Sequence, residues 1–246
     1  MGFQDATGRR LSYDSYLHIP QLLDLQQGLT EAHDELLFIV VHQVYELWFK
    51  VLIDELETVR SSIQAEDLRA ARHGLNRVKV IEDLLVEQVA VLETMAAQDF
   101  LTFRSELAPA SGFQSVQFRE IEFLSGLKDA GYIKALDGEG DARARLQRRL
   151  DEPSLHDVFT ALIKRRGLTV SDLYRQGDQH ADLLELAEAL LDHDEGFRLW
   201  RLRHVEMVER QIGDKPGTGG STGVRYLQST LGKRFFPELW EVRSQL

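Results

Sequence analysis

The chain contains no cysteine, which excludes disulfides, iron–sulfur clusters, thiolate-ligated haem, cysteine zinc sites and thiol nucleophiles together. Metal chemistry therefore rests on the eight histidines and the carboxylates. Two histidines stand apart by their surroundings. At about 100° per residue, His42 shares a helical sector with Phe38, Tyr45 and Phe49. An aromatic sector with one imidazole suits a flat ligand, and a packed core histidine is the ordinary alternative. His204 falls on the face drawn by Phe197, Trp200, Met207 and Val208, within an otherwise charged segment. That setting suits an axial ligand to haem iron, or again a satisfied core histidine. The other six, His18, His33, His73, His156, His180 and His193, sit near helix ends or among charges and read as solvated surface.

Arg104 follows Phe100, Leu101 and Phe103, a setting that suits bidentate capture of a carboxylate; a surface ion pair is the alternative. The stretch GDKPGTGGSTG (213–223) is the only glycine-rich segment, and on composition it reads as a flexible surface loop. It lacks the Lys-Ser/Thr of a P-loop and the spacing of a dinucleotide-binding turn. No glutamate has a histidine three residues on, so a di-iron bundle site is absent. No His-Glu-x-x-His zinc motif occurs.

These side chains must be positioned by helices. No proline occurs between Gln21 and Ala108, which leaves room for long helices. Leu37, Val40, Val44, Leu47, Trp48 and Val51 recur every three or four residues, predicting a helix over about 36–56 with that stripe facing the core. Ala71, Leu75, Val78, Ile81, Leu84, Leu85, Val89 and Leu92 predict another over about 67–95. After the break at Pro109, Ser111-Gly112 opens a new element and 118–127 is helix-like. Asp151 and Pro153 suggest a capped start for the next helix. Helices are expected over 183–191 and 197–212, with short ones at 226–231 and 237–242. No strand-like alternation, internal repeat or low-complexity linker interrupts them, so the reading is one all-α domain spanning 1–246.

The 246 residues are enough for a substantial core. With 29 basic and 40 acidic side chains the net charge is −11, which disfavours nucleic acid and anionic lipid as partners. The longest clean apolar run, Leu36–Val41, is far shorter than the ~20 residues of a membrane span. The first ten residues lack the apolar core of a signal peptide, so the expected location is the cytoplasm.

Five segments together resemble the haem-dependent tryptophan 2,3-dioxygenase family. They are LSYDSYLHIPQLLDLQ (Leu11–Gln26), HDELLFIVVHQVYELWFKVLIDEL (His33–Leu56), PASGFQSVQFREIEFLSG (Pro109–Gly126), FRLWRLRHVEMVERQIGDKPGTGGSTGVRYLQ (Phe197–Gln228) and FFPELWEVR (Phe235–Arg243). They occur in the family's order and cover nearly the whole chain.

The resemblance implies a helical bundle holding one haem b per subunit between its helices, ferrous when active, with O2 as co-substrate. His204 would be the axial ligand to iron. His42 would accept a hydrogen bond from the indole N–H of L-tryptophan, and Phe38 would pack on the indole. Phe100 stands where the family carries tyrosine or phenylalanine. Arg104 would pair with the substrate carboxylate, Thr218 would bind the ammonium and carboxylate end, and Ser111 and Gly112 would line the distal pocket. Tyr13 and Tyr16 match a segment, within about 1–30, that completes a neighbouring subunit's site, which implies a homotetramer built as a dimer of dimers. The implied reaction opens the indole C2–C3 bond to give N-formyl-L-kynurenine; a related haem oxygenase acting on a modified tryptophan or indole is the alternative. Two departures stand out: the region 165–194 is shorter than the resemblance implies, and the chain ends soon after Val242.

Overall fold

Capping chemistry sets most helix boundaries in the computed structural model, which describes residues 11–135 and 140–246. Ser12 caps α1 (Tyr13–Leu17), which runs into α2 (Ile19–Leu22). An irregular stretch follows, tied down by the Glu35 carboxylate. That group accepts from the Leu29 and Thr30 N–H groups at 2.7 and 2.8 Å and from the Thr30 hydroxyl at 2.6 Å. The chain then forms a hairpin of two long helices, α3 (His33–Gln64) and α4 (Leu68–Leu92). Asp67 starts the second by accepting from the Ala70 N–H at 3.0 Å, which satisfies one of the orphan donors of the first turn.

The chain continues through α5 (Ala97–Phe103) into a turn that ends at Ser115, the cap of α6 (Val116–Ser125). Gly126 ends α6 at φ 136, in contact distance of His156 and the Phe235 carbonyl, where a side chain would be both strained and obstructed. There follow α7 (Gly131–Ala135), α8 (Gly140–Asp151), α9 (Leu155–Arg165) and α10 (Val170–Arg175). The 32-residue α11 (Ala181–Ile212) then crosses the molecule, and α12 (Val224–Ser229) and α13 (Pro237–Glu241) finish it. No strand occurs among the described residues, so the all-α expectation holds.

The core lies between α3, α4 and α11, with α6 and α9 packed on α3. Leu52, Leu56, Val59, Ile63, Leu75, Leu85, Leu186 and Leu190 are essentially inaccessible. Four expectations need correction. First, the 183–191 and 197–212 helices are one, because Gly196 is a close-packing point: its missing Cβ would lie 2.7 Å from the Glu82 carboxylate on α4. Second, Asp151 ends α8, and Ser154 with Asp157 forms the capping box of α9; Ser154 accepts from the Asp157 N–H and Asp157 returns the bond to the Ser154 N–H.

Third, the α3 stripe is divided between core and solvent, with Leu37 and Trp48 packed on the core from partly buried positions. Val41, Tyr45, Phe49, Leu52 and Ile53 face the core, whereas Val40, Leu47 and Val51 are exposed. Both faces of α3 are apolar, so periodicity alone cannot say which one is covered. For the same reason α3 is long and apolar enough to cross a membrane by length and composition, a property the run at Leu36–Val41 does not reveal. Here one of its faces packs on α4 and α6 and the other is exposed.

Fourth, His193 is not solvated surface. It is 1 % exposed, with Nδ1 2.7 Å from Glu82 and Nε2 2.8 Å from the Ser125 hydroxyl. Burial pushes the Glu82 carboxyl above its ordinary range, against the pull of the His193 charge. This serine–histidine–glutamate row has the order of a nucleophilic triad. Ser125 and Glu82 are fully buried, however, so no substrate reaches the hydroxyl, and the row acts as a polar bolt joining α4, α6 and α11.

Candidate active site

A cavity of about 290 Å³ opens between α3, α5, α6 and α11, beneath the segment 216–230. On its α3 wall Phe38 and His42, one turn apart, have ring centroids 4.1 Å apart. Phe38 also packs on Phe100 and Phe103 of α5, both at 5.7 Å, giving an apolar slot with one imidazole at its edge. His42 Nδ1 lies 2.7 Å from the Phe38 carbonyl. A carbonyl only accepts, so Nδ1 carries the proton and, in the neutral ring, Nε2 is left as an acceptor. Burial holds the His42 pKa below the ordinary histidine value, partly opposed by that hydrogen bond and by the Glu46 charge. Glu46 is itself held by the Gln117 amide at 2.8 Å.

On the α11 wall, His204 stacks on Trp200 one turn earlier, with centroids 5.2 Å apart and planes 13° apart. Trp200 is wedged among Tyr45, Phe49 and Phe118, so the imidazole plane is set by a packed aromatic cluster. Burial, with a smaller contribution from the His42 charge, lowers the His204 pKa to about 4. The ring is therefore neutral across the physiological range, which is the form that ligates a metal.

The third wall joins the stretch 104–111 to the remote stretch 216–219. Arg104 donates to the Pro216 carbonyl, and the Thr218 hydroxyl donates to the Ala110 carbonyl at 2.6 Å. Gly219 sits so tightly on Ser111 that a Cβ there would lie 2.6 Å from the Ser111 Cβ. The glycine-rich stretch is thus a packed cover for the cavity, where composition alone suggested a slack loop.

Phe38, His42, Phe100, Arg104, Ser111, Gly112, Thr218 and His204 all line this one space. Tyr13 and Tyr16 do not join them; they lie on α1, 73 % and 68 % exposed. Sequence reasoning passed over Arg119, Glu122, Arg201 and Tyr226 as site residues, and these line the same cavity. The one local signal was the Arg119–Glu122 spacing of three on α6, which elsewhere means only a surface ion pair.

The model of the tryptophan 2,3-dioxygenase family matches residues 1–172 and 160–246. A tryptophan 2,3-dioxygenase of Nocardioides sp. is 50 % identical, with 97 % of this chain and 96 % of that protein aligned. Those of Caulobacter vibrioides and Herpetosiphon aurantiacus are 41 % and 42 % identical, each with 96 % of this chain and 98 % of the relative aligned. The chain belongs to the tryptophan 2,3-dioxygenase family.

That family is haem-dependent, and the residues present fit such a group. No three histidine or acidic side chains converge on a metal position among the described residues, so an ion held by His204 needs a carrier that supplies its other ligands, as a porphyrin does. The ring-sized space beside His204 is walled by aromatic and aliphatic side chains. Arg119 Nε and Trp200 Nε1 are buried beside it with no acceptor among the described residues. Unpaired buried donors are costly, and an acidic cofactor held in this space would offer them acceptors.

Proposed function

We propose that this chain opens the indole C2–C3 bond of L-tryptophan with O2 to give N-formyl-L-kynurenine, using haem b held by His204. The observation that carries the proposal is a single cavity with a neutral, ring-stacked His204 on one wall and an acceptor imidazole, His42, beside an aromatic slot on another. The haem, in its ferrous form, supplies the binding and redox activation of O2.

The protein's share is placement. Phe38 and Phe100 hold the indole plane, and His42 Nε2 accepts the indole N–H. That proton stays on nitrogen, because an indole N–H is a very weak acid and a neutral imidazole a poorly matched base. At the other end the substrate carboxylate replaces the Pro216 carbonyl at Arg104, exchanging a neutral acceptor for a charged one that makes a stronger bond. Thr218 and Ser111 complete the polar end, and the packed cover over them keeps bulk water from the slot. Holding a substrate at both ends supplies orientation, which in ideal intramolecular cases is worth on the order of 7–11 kcal/mol of barrier.

The chain acts as one all-α domain in a homotetramer built as a dimer of dimers, located in the cytoplasm. The outward apolar face of α3, with Leu36 and Leu47 at least half exposed, supports burial against a second copy. The exposed Tyr13 and Tyr16 support exchange of the segment 1–30 into a neighbour's site; residues 1–10 of that segment lie outside the described residues.

The test is turnover. Haem-reconstituted protein, reduced with dithionite and mixed with aerated L-tryptophan, develops the absorbance of N-formylkynurenine with one O2 consumed per product. Haem uptake without that product from L-tryptophan overturns the reading.

A further inference from the structure

Glu122 on α6 is 1 % exposed and lies in the cavity wall. Its two oxygens accept from two arginines: Arg119 on the same helix at 2.6 Å and Arg201 on α11 at 2.7 Å. Each guanidinium is also held against rings. Arg119 lies 3.8 Å from the Tyr132 centroid and about as close to Phe118, at 5.0 Å, as to Phe113. Arg201 lies over Phe197 at 4.9 Å and donates to the Lys233 carbonyl at 3.2 Å. Both arginines have a buried Nε with no acceptor among the described residues.

Two buried cations side by side repel strongly at low dielectric, and each costs several kcal/mol to desolvate unless paired. A single carboxylate between them removes most of that repulsion and sets both forks in one geometry. It leaves this wall with one net positive charge and two donors still to be satisfied. The wall connects directly to the liganding helix, because Arg201 stands three residues before His204.

We infer that Glu122 is a positioning residue that clamps Arg119 and Arg201 against the haem edge and, through that fixed charge, sets the ferric/ferrous balance of the iron. The inference rests on the proposed haem occupancy of the cavity. Removing the carboxylate charge leaves the wall more positive and favours the ferrous state; removing one guanidinium charge does the reverse. A purely structural clamp would move both variants in the same direction, towards looser haem.

The experiment uses holoenzyme reconstituted with haem, with spectroelectrochemical titration and haem transfer to excess apomyoglobin as readouts. In Glu122→Gln the isosteric amide accepts from one arginine only. Its ferrous state is expected to gain about tenfold, which is a rise of 59 mV for a one-electron couple, and haem transfer is expected to be about tenfold faster. In Arg201→Gln the midpoint falls. If Glu122→Gln fails to fold, the fall in Arg201→Gln carries the test alone. Midpoints within error of wild type, or shifted in the same direction in both variants, overturn the inference. Failure of the wild-type protein to take up haem with histidine ligation would instead overturn the underlying cofactor reading, so the two failures are distinguishable.

Discussion

Gly219 offers a strict test of whether the segment 216–223 is a packed part of the site. In Gly219→Ala the new methyl would lie 2.6 Å from the Ser111 Cβ, 3.1 Å from its Oγ and 3.5 Å from the Pro109 carbonyl. Ordinary contact begins at 3.4 Å, so the loop must lift by about 0.8 Å, since both flanking contacts are to a short side chain and to backbone that cannot swing away. The Thr218–Ala110 bond of 2.6 Å would stretch to about the limit of a hydrogen bond. Its loss costs about 0.5–1.5 kcal/mol. Misplacement of substrate-binding groups on the ångström scale costs on the order of a hundredfold in rate. Steady-state kinetics on L-tryptophan should therefore show kcat/KM lowered by about 10- to 100-fold, with most of the loss in KM. The haem spectrum should be unchanged, because His204 and its aromatic support lie on another wall. Gly140→Ala is the control: it meets nothing within 4 Å, lies outside the cavity lining and should behave as wild type. Wild-type kinetics in Gly219→Ala would refute the packed-cover argument.

Arg104→Ala should lower kcat/KM for L-tryptophan by about 30- to several-thousand-fold, corresponding to roughly 2–5 kcal/mol for a buried charge-assisted pair; indole analogues without a carboxylate should lose far less, and equal losses would place the anchor elsewhere. His42→Ala should keep measurable activity, about 10- to 100-fold down, and discriminate less than wild type against 1-methyltryptophan, whereas a nearly dead variant would make His42 an obligatory base. His193→Ala strips the partner from buried Glu82 and should cost about 3–5 kcal/mol, seen as a lower Tm. An unchanged Tm would show that the row bolts nothing together. The Glu35 carboxyl is held below the usual range chiefly by the Thr30 hydroxyl and then by the Leu29 N–H. A depressed acid contributes stability above its unfolded pKa and loses it as pH falls through the folded value. Amide exchange over 25–32 should therefore accelerate below about pH 4 and be fast already at pH 7 in Glu35→Gln; exchange independent of both would disprove that tether.

Periodicity and proline distribution were enough for an all-α bundle with long helices, because a 3.6-residue repeat survives in any helix that buries one face. The α4 register was mostly legible for this reason: seven of its eight stripe residues are buried, and Leu84 alone of them is exposed. On α3 the same reasoning mixed covered and exposed positions, since the helix is apolar on both sides and the covered face is chosen by what α4 and α6 bring against it. His42 and His204 could be singled out from their aromatic neighbours, but on spacing alone each had an ordinary core histidine as its alternative; that the two line one cavity is visible only in the structure. Whether an imidazole is a ligand or a filler depends on the empty space beside it, and empty space has no sequence pattern.

The longest-range features were decided by tertiary structure alone. Arg104, Ser111 and Thr218 converge although more than a hundred residues separate the first from the last, and Glu122 meets Arg201 across α6 and α11. His193 carried every surface mark in the sequence, flanked by Asp192, Asp194 and Glu195. It is nevertheless buried, because Glu82 and Ser125 arrive from two other helices to satisfy both of its ring nitrogens. Local pattern reports how a segment divides its side chains between water and protein. It cannot report which remote polar groups will be present to replace the water, and that replacement is what makes a charged or polar residue part of a core or part of a site.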